Sequence, residues 1–568
     1  MRGGAGGWQT VGAMKKIITI TLESGRKVSV PTQTLVGDLL ERPYDEATGL
    51  PYLGALVNND LATFAYSLDI DSTVRFVTMK TAPGLQIYVR SLSFLLAKAV
   101  KDVYPEAEFS VEHAIGPALY CEFTRGDKSG LSEEEASALE ARLRELVKQD
   151  LPIHRTRMSY LAAIEQFSKN GQDDKVALLR HKNTPKVVTY ECDGFCDLAT
   201  GPMTRSTGGL GFFRIEPYSD GFVLLMPSKE SAPEIPEFKP IRSLAATFKE
   251  SNEWGRILGV TSVGRLNDII AAGEIGDFVK VAEALHEKKI AQIADQIASR
   301  KEARWILIAG PSSSGKTTFA KRLAIQLRVC GLKPVTLGGD DYFVDRDKTP
   351  RDETGAFDFE HIEAMDIEAL NKDLSDLDAG REIQVPTYDF HLGKRLYTGK
   401  KMHLEPGQVV ILEGIHSLDP LLTPSVPADK KFHIYISALT QLNLDHNNRI
   451  PTTDNRLIRR LVRDHRYRGH SAQRTLEMWP SVGRGERRWI FPFQDNADAV
   501  FNSALDYELA VLSTEARPLL ATIKPDVPIY AEARRMMEFL SHFLPIPHSL
   551  IPPTSILREF VGGSSFEY

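Results

Sequence analysis

The chain has 568 residues, more than one hydrophobic core can organise, so we expect three or four domains. Hydrophobic residues make up 42% and charged residues 25% of it, as in ordinary globular proteins, which argues against a fibrous or largely disordered chain. The net charge of −6 gives no overall argument for binding nucleic acid or an anionic membrane, although a local basic face stays open.

The first residues and the cysteines set the expected location of the protein. Residues 1–13 are rich in glycine and contain no apolar signal core, so we interpret them as a flexible leader, with Met14 as an alternative start. No apolar run approaches the roughly 18 residues that span a bilayer, so no membrane partner is expected. The cysteines are too few and too scattered for a disulfide framework or a zinc site, which favours a reducing cytoplasm. They are Cys121, Cys192, Cys196 and Cys330.

Residues 14–80 show alternating apolar residues that predict strands at 17–22, 28–30, 55–59 and 74–77, which together indicate a small α+β module. The stretch GALVNND at 54–60, followed by YSLD at 66–69 and Asp71-Ser72, resembles the β-grasp TGS domain that opens threonyl-tRNA synthetases and some GTPases. The resemblance implies a β-grasp fold for this segment.

Residues 81–225 continue that resemblance. A helix with an apolar stripe at 90–100 and a second signature at 197–203 are similar to the editing domain of threonyl-tRNA synthetases. The family pattern places His-x-x-x-His on the helix and Cys-x-x-x-His in the second signature. Imidazole and thiolate groups do the hydrolytic work in such sites, and none is present at the four positions here. We therefore predict a retained fold without editing activity, and leave a role in RNA binding or regulation open. The residues at these positions are Arg90, Phe94, Ala199 and Met203.

Residues 226–300 are predicted to be a linker and helical connector. The stretch from 227 to 240 is rich in proline, glutamate and lysine, and apolar residues at helical spacing follow from 269 to 297. We interpret His286 as a solvent-facing residue of this helix.

The segment around residues 310–318 carries the sharpest motif. Its sequence GPSSSGKTT fits G-x-x-x-x-G-K-[ST], and it lies between an apolar strand at 305–309 and a helix. In a loop of this kind the backbone N–H groups cradle phosphates, Lys316 reaches the β- and γ-phosphates, and the Thr317 hydroxyl holds Mg²⁺. The alternative is a glycine-serine turn without a ligand. The predicted nucleotide-binding residues are Gly310, Pro311, Ser312, Ser313, Ser314, Gly315, Lys316, Thr317 and Thr318.

Acidic residues follow two further apolar strands. Asp340 comes after the strand at 335–337, and Glu413 comes after Ile411 and Leu412. The carboxyl ends of parallel strands form the ligand-binding edge of a sheet. We therefore predict Asp340 as the base for an acceptor hydroxyl and as a metal neighbour, with Asp341 or a helix N-cap as alternatives. Glu413 and Thr317 are the predicted Mg²⁺ ligands.

Four stretches in this order resemble the uridine kinase and phosphoribulokinase family of P-loop kinases. They are the phosphate loop, DDYF at 340–343 with FD at 357–358, PTYDF at 386–390, and EGI at 413–415. The resemblance implies a parallel α/β kinase domain over residues 301–568. It also implies that Asp358 binds the ribose hydroxyls of the acceptor, and that Tyr388 and His391 line the base pocket.

Six arginines lie on one predicted helix between residues 454 and 469. Three interpretations stay open for them: a solvated helix face, a lid that closes over ATP, and a surface for polyanions. The family resemblance favours the lid, with Arg460 beside the substrate and Arg463 and Arg468 as catalytic charges. His470 stands where the family has its last arginine.

These predictions combine into a multidomain α/β and α+β protein. We expect it to phosphorylate the 5′-hydroxyl of a nucleoside, uridine or cytidine first, with ATP and Mg²⁺. The alternatives are a kinase of another small alcohol, or an ATPase switch whose front domains bind RNA. The sequence fixes neither the acceptor nor the oligomeric state, and a homo-oligomer stays open.

Overall fold

The fold is taken from a computed structural model that describes residues 16–198, 200–353, 355–389 and 391–567. The predicted leader at 1–13 lies outside the described residues, as do Ala199 of the second signature and Phe390 of the acceptor motif. Within the described ranges, every helix is too short or too polar to cross a lipid bilayer.

The N-terminal region is a mixed five-stranded sheet in the order β2-β1-β7-β4-β5, in which only β1 and β7 pair in parallel. Alternation along the strands buries Ile18, Ile20 and Val74 on one face, as the sequence pattern predicts. Its strands are β1 (Ile17–Leu22), β2 (Lys27–Pro31), β3 (Thr34–Leu35), β4 (Gly54–Val57), β5 (Asp60–Ala62), β6 (Ser67–Leu68) and β7 (Ser72–Val77).

The second region packs helices on two antiparallel sheets, one built around β9 and one in the order β11-β12-β13. Helix α1 begins after Thr81, whose hydroxyl caps the Gly84 N–H, and its apolar stripe buries Leu92, Leu95 and Leu96. The elements are α1 (Ala82–Val103), β8 (Glu108–Ile115), β9 (Ala118–Arg125), β10 (Lys128–Ser129), α2 (Glu133–Lys148), β11 (His154–Ser159), α3 (Tyr160–Lys169), α4 (Asp173–Arg180), β12 (Lys186–Cys192), β13 (Phe195–Leu198), β14 (Arg214–Tyr218) and β15 (Gly221–Leu225).

The predicted connector forms α5 (Arg242–Leu258), α6 (Val263–Ala272) and α7 (Ile275–Ser299). Helices α6 and α7 share a hydrophobic core with the C-terminal region. The interpretation of His286 as solvent-facing is wrong. Its side chain is buried, lies 3.1 Å from the Ala504 carbonyl oxygen, and has a pKa lowered to about 3, chiefly by burial. A histidine between two packed elements cannot be distinguished from an exposed one by helical spacing alone.

The C-terminal region is built on a fully parallel sheet in the order β17-β22-β16-β23-β24. Its strands and helices are β16 (Trp305–Ala309), α8 (Lys316–Val329), β17 (Lys333–Gly338), α9 (Ile367–Asp378), β18 (Ile383–Gln384), β19 (Thr387–Asp389), β20 (Lys394–Leu396), β21 (Lys401–Met402), β22 (Gln408–Glu413), β23 (Lys431–Ser437), α10 (Thr452–Arg468), α11 (Ala472–Trp489), β24 (Ala499–Asn502), α12 (Glu508–Leu520), α13 (Tyr530–Leu540) and α14 (Arg558–Val561).

The multidomain α/β and α+β fold class predicted from the sequence is confirmed by these sheets. Strand β16 is buried along its whole length at the centre of the parallel sheet, as a continuous apolar run predicts. The domain boundaries at residues 80, 225 and 300 stay predictions.

Candidate active site

The phosphate loop joins β16 to α8 at the carboxyl edge of the parallel sheet. A Cβ atom on Gly310 would lie 2.1 Å from the Ile436 carbonyl oxygen, so only glycine allows this approach to β23. Gly315 precedes the first residue of α8 with a φ of 84°, and Ser313 has a φ of 61°. These left-handed positions turn the chain sharply enough for the loop to wrap the N-terminus of α8, where unpaired N–H groups favour an anion.

Lys316 lies across this loop. Its Nζ atom donates to the Gly310 carbonyl oxygen at 3.0 Å and lies 3.4 Å from that of Pro311. The side chain is half-buried, so its ammonium group stays at the mouth of the loop. The contact of Lys316 with the outer phosphates of a nucleotide stays a prediction.

Thr317 and Glu413 meet at the predicted metal position. Glu413 ends β22, in register with Ile308 of β16 and Gly338 of β17, and accepts a hydrogen bond from the Thr317 hydroxyl at 2.9 Å. Burial and the nearby charge of Asp340 raise the pKa of Glu413 to about 7, against the lowering effect of Lys316. Hard oxygen donors with an excess of negative charge fit a Mg²⁺ ion.

Asp340 and Asp341 lie on a short 3₁₀ turn directly after β17. The Asp341 carboxylate accepts the Tyr388 backbone N–H at 3.2 Å, and so ties the β19–β20 hairpin to the end of the strand. Asp340 lies within electrostatic range of Glu413, whose pKa is raised by burial and by the Asp340 charge. It also lies within range of Arg468, whose pKa is lowered by burial, an effect that the Asp340 charge opposes. Asp341 thus forms a structural hydrogen bond to the hairpin, whereas Asp340 lies near the charged groups of the site.

The acceptor motif forms the β19–β20 hairpin. The Tyr388 side chain is buried there, with its ring 5.6 Å from that of Phe343 in an edge-on arrangement. His391 is exposed at the turn, where its backbone N–H is bound by Asp389 at 2.8 Å. The hairpin thus brings Tyr388 to the turn that carries Asp340, whereas His391 faces solvent in this conformation.

Asp358 lies on the opposite wall, against α11. A Cβ atom on Gly485 would lie 2.3 Å from the Glu360 Cβ and 3.5 Å from the Asp358 carboxylate, so glycine permits this close packing. Burial raises the pKa of Glu360 to about 7, against the opposing charge of Arg460. Arg460 in turn donates to the Ser312 hydroxyl at 2.8 Å. Glu360, which packs beside the predicted acceptor residue, therefore lies within electrostatic range of an arginine that is hydrogen-bonded to the phosphate loop, an arrangement that the sequence did not predict.

Three arginines of α10 are buried rather than solvent-facing, so the solvated-face interpretation is wrong for Arg456, Arg459 and Arg460. Arg456 forms an ion pair with Glu486, and Arg459 forms one with Glu508. Both carboxylates are also buried. A buried guanidinium needs such a partner, because an unpaired buried charge is strongly destabilising.

Asp464 organises the other predicted arginines. Its carboxylate is buried and lies 2.8 Å from Arg463, 3.2 Å from Arg460 and 3.7 Å from Arg468. The three guanidinium groups together lower the pKa of Asp464 despite its burial. His470 approaches the same carboxylate at 3.8 Å. Sequence reasoning singled out the arginines and missed this shared acid, which has the helical spacing of an ordinary i, i+4 pair.

The region that resembles an editing site is filled by apolar side chains. Phe94 and Met203 are each 2% exposed and pack together with Tyr190 and Cys192. Arg90 donates to the Pro202 carbonyl oxygen at 2.7 Å. The described positions of both signatures thus contribute packing and a structural hydrogen bond.

The N-terminal and C-terminal regions of the chain are similar to different known proteins. Residues 305–510 match the model of the Phosphoribulokinase / Uridine kinase family. The N-terminal region is similar to threonine–tRNA ligases: it is 36% identical over 161 residues to that of Acidithiobacillus ferrooxidans, covering 28% of this chain and 25% of the ligase. The ligase of Nitrosococcus oceani is 32% identical over 199 residues, covering 34% of this chain and 30% of the ligase.

The chain thus spans about a quarter to a third of the length of these curated relatives. Among solved structures, one described as a possible uridine kinase from Bacillus stearothermophilus is 22% identical with a TM-score of 0.26, covering 38% of this chain and 97% of that one. The family and ligase matches confirm both resemblances found in the sequence.

Proposed function

We propose that this protein is an ATP-dependent kinase that transfers the γ-phosphoryl group of ATP to the 5′-hydroxyl of a nucleoside, with uridine or cytidine as the first candidates. One observation carries the proposal. The hydrogen-bonded pair Thr317 and Glu413 lies at the same edge of the sheet as the phosphate loop and Asp340. The match of residues 305–510 to a kinase family supports it.

Phosphate binding falls to the loop. Its backbone N–H groups and the N-terminus of α8 face the anion, and Lys316 neutralises charge on the outer phosphates. When bound at Thr317 and Glu413, Mg²⁺ would supply charge neutralisation between the phosphates. Arg463 and Arg468 would offset the negative charge that develops on the transferring phosphoryl group, once they exchange Asp464 for phosphate.

Asp340 would act on the acceptor. The hydroxyl oxygen of the nucleoside forms the new bond to the γ-phosphorus, the bond from that phosphorus to the β,γ-bridging oxygen breaks, and the hydroxyl proton passes to the Asp340 carboxylate. Asp358 would bind the ribose hydroxyls, since a carboxylate accepts both hydrogen bonds of a vicinal diol. Tyr388 would contact the base, and His391 would line the same pocket.

The front half of the chain supports a proposed RNA contact. A cleft of about 2260 Å³ lies between it and the C-terminal helices, lined in part by the exposed side chains of Arg75, Arg157 and Lys186. Its similarity to threonine–tRNA ligases favours an RNA over another polyanion.

The test is ADP release by the purified chain with ATP and Mg²⁺, with and without uridine or cytidine. We expect at least a tenfold stimulation by one of them, with a 5′-monophosphate as product. ATP binding without nucleoside-stimulated turnover would refute the proposal. It would favour another small alcohol, if a substrate panel shows one, or an RNA-linked ATPase switch, if turnover responds to tRNA in a salt-dependent way.

A further inference from the structure

The C-terminal segment packs directly on the phosphate loop, although it lies beyond the part of the chain that matches the kinase family. Ile556 and Phe560 are fully buried in the main core. A Cβ atom on Gly315 would lie 2.6 Å from the Ile556 side chain, and the guanidinium of Arg459 lies 5.0 Å from the centre of the Phe560 ring. The segment is therefore a fixed wall of the nucleotide site.

This wall places a carboxylate on the loop. The Glu559 Oε2 atom accepts a hydrogen bond from the Thr318 hydroxyl at 2.7 Å and from the Thr318 backbone N–H at 3.3 Å. Thr318 is the third residue of α8, so it belongs to the first turn, where backbone N–H groups point out of the end of the helix. In a phosphate loop, the N–H groups of this first turn are the ones that cradle the α- and β-phosphates.

The same carboxylate adds to the negative charge of the site. Burial raises the pKa of Glu413, and the charges of Asp340 and Glu559 add to that effect, so both acids lie within electrostatic range of Glu413. Lys316 acts in the opposite direction on Glu413. An arriving polyphosphate would therefore meet an anion where the backbone offers it hydrogen bonds.

We propose that Glu559 occupies the α/β-phosphate position beside Thr318 in the nucleotide-free protein, and that a nucleoside triphosphate binds by displacing it. The inference rests on the phosphate-loop part of the proposed function. Because the backbone of α14 is held in the core, rotation of the Glu559 side chain is the movement required. The Glu559 carboxylate then raises the stability of the nucleotide-free protein and lowers its affinity for nucleotide.

The test compares Glu559→Gln with wild type by calorimetric titration of ATP, with and without Mg²⁺, and by thermal unfolding without nucleotide. Glu567→Gln is the matched control, because it removes the same charge from the same segment at an exposed residue. We expect the Kd for ATP of Glu559→Gln to fall about tenfold, which corresponds to about 1.4 kcal/mol. Its Tm without nucleotide should fall, since a helix N-terminus loses its anion. The control should stay within twofold of wild type in Kd.

An unchanged or higher Kd for Glu559→Gln would overturn the inference. A rise seen only with Mg²⁺ would make Glu559 a metal neighbour instead, which also overturns it. If Glu559→Gln does not fold, Glu559→Asp withdraws the carboxylate by one methylene and should lower the Kd to a smaller extent; no change there refutes the inference as well. Tighter ATP binding without nucleoside turnover would support the inference while the proposed function fails, whereas normal turnover with an unchanged Kd would do the reverse.

Discussion

Replacing Lys175 by Met removes an ammonium group that forms ion pairs with three carboxylates. Two of these carboxylates belong to the front half of the chain, and the third belongs to the loop before α10. Lys175 is 1% exposed, and its Nζ lies 3.1 Å from Asp197, 3.4 Å from Asp174 and 3.4 Å from Asp445. Asp445 belongs to the loop that leads into the arginine-rich helix. The ion cluster therefore holds the editing-like region against the loop before α10, the helix whose arginines contact the phosphate loop.

The size of the effect follows from burial. At about 3.3 Å and an effective dielectric constant of about 20, each contact has a Coulomb energy of about 5 kcal/mol, most of which offsets the loss of hydration. Removing one partner of a buried ion pair typically costs about 3–5 kcal/mol because the remaining charges are left uncompensated. We expect Lys175→Met to lower the local free energy of opening by about 4 kcal/mol.

Hydrogen exchange followed by mass spectrometry measures this opening without assuming that so large a chain unfolds in one step. Peptides covering α4 and residues 443–448 should exchange about 10³-fold faster in the variant. The control is Lys169→Met on the neighbouring helix, where an exposed pair with Glu165 is broken and the exchange rates of the same peptides should stay close to those of wild type.

The effect should also depend on pH. Burial already raises the pKa of Asp197 to about 6 with Lys175 present, and removing the ammonium group raises the pKa of Asp197 further. The folded pKa of Asp197 then exceeds that of an aspartate in the unfolded chain, about 3.9, so the folded variant binds more protons and loses stability as pH rises. The defect should therefore be smaller at pH 5 than at pH 8. A loss below about 1 kcal/mol, or one that does not change with pH, would refute the electrostatic explanation.

Two further predictions concern the sites. Asp340→Asn should lower kcat by about 10²–10⁴-fold with little change in ATP binding, because the amide cannot take the acceptor proton; unaltered steady-state turnover would show that another group is the base. The chain should not release the amino acid from mischarged threonine tRNA, since Phe94 and Met203 fill the site with apolar atoms. Measured deacylation above that of a buffer blank, with an editing-competent ligase as the positive control, would contradict this.

The phosphate loop could be predicted because its determinants are local, and the contact of Thr317 with Glu413 could be predicted from the rules of parallel sheets. Gly310 and Gly315 permit one backbone path between a strand and a helix, and that path places Lys316 and Thr317. Glu413 is distant in sequence, but it ends a parallel strand, and parallel strands share a carboxyl edge. The contact of Thr317 with Glu413 could therefore be predicted without knowledge of the order of the strands in the sheet.

The environment of the arginines could not be predicted from the sequence. Arg456 and Arg459 find their carboxylates 30 and 49 residues away, on α11 and α12, where Glu486 and Glu508 have the spacing of ordinary surface residues. Helix α10 is covered on several sides, so polar periodicity does not identify an exposed face. The contact of Glu559 with Thr318 spans 241 residues and lies outside every motif.

These buried arginines have a consequence for the geometry of the phosphate loop. The Ser312 carbonyl oxygen accepts from Arg456 at 3.0 Å, that of Ser313 from Arg459 at 3.3 Å, and that of Ser314 from Ser503 at 2.6 Å. In a trans peptide the carbonyl group and the following N–H point in opposite directions. Holding these carbonyl groups outward therefore turns the N–H groups of Ser313 and Gly315 toward the space in front of the loop, whereas the Ser314 N–H donates to the Pro311 carbonyl oxygen at 3.2 Å. Because Arg456 and Arg459 are themselves fixed by buried carboxylates, the N–H groups are oriented before any phosphate arrives, which lowers the reorganisation needed on binding. For these two residues of α10, support of the loop from behind replaces the lid role that their position on the arginine-rich helix suggested.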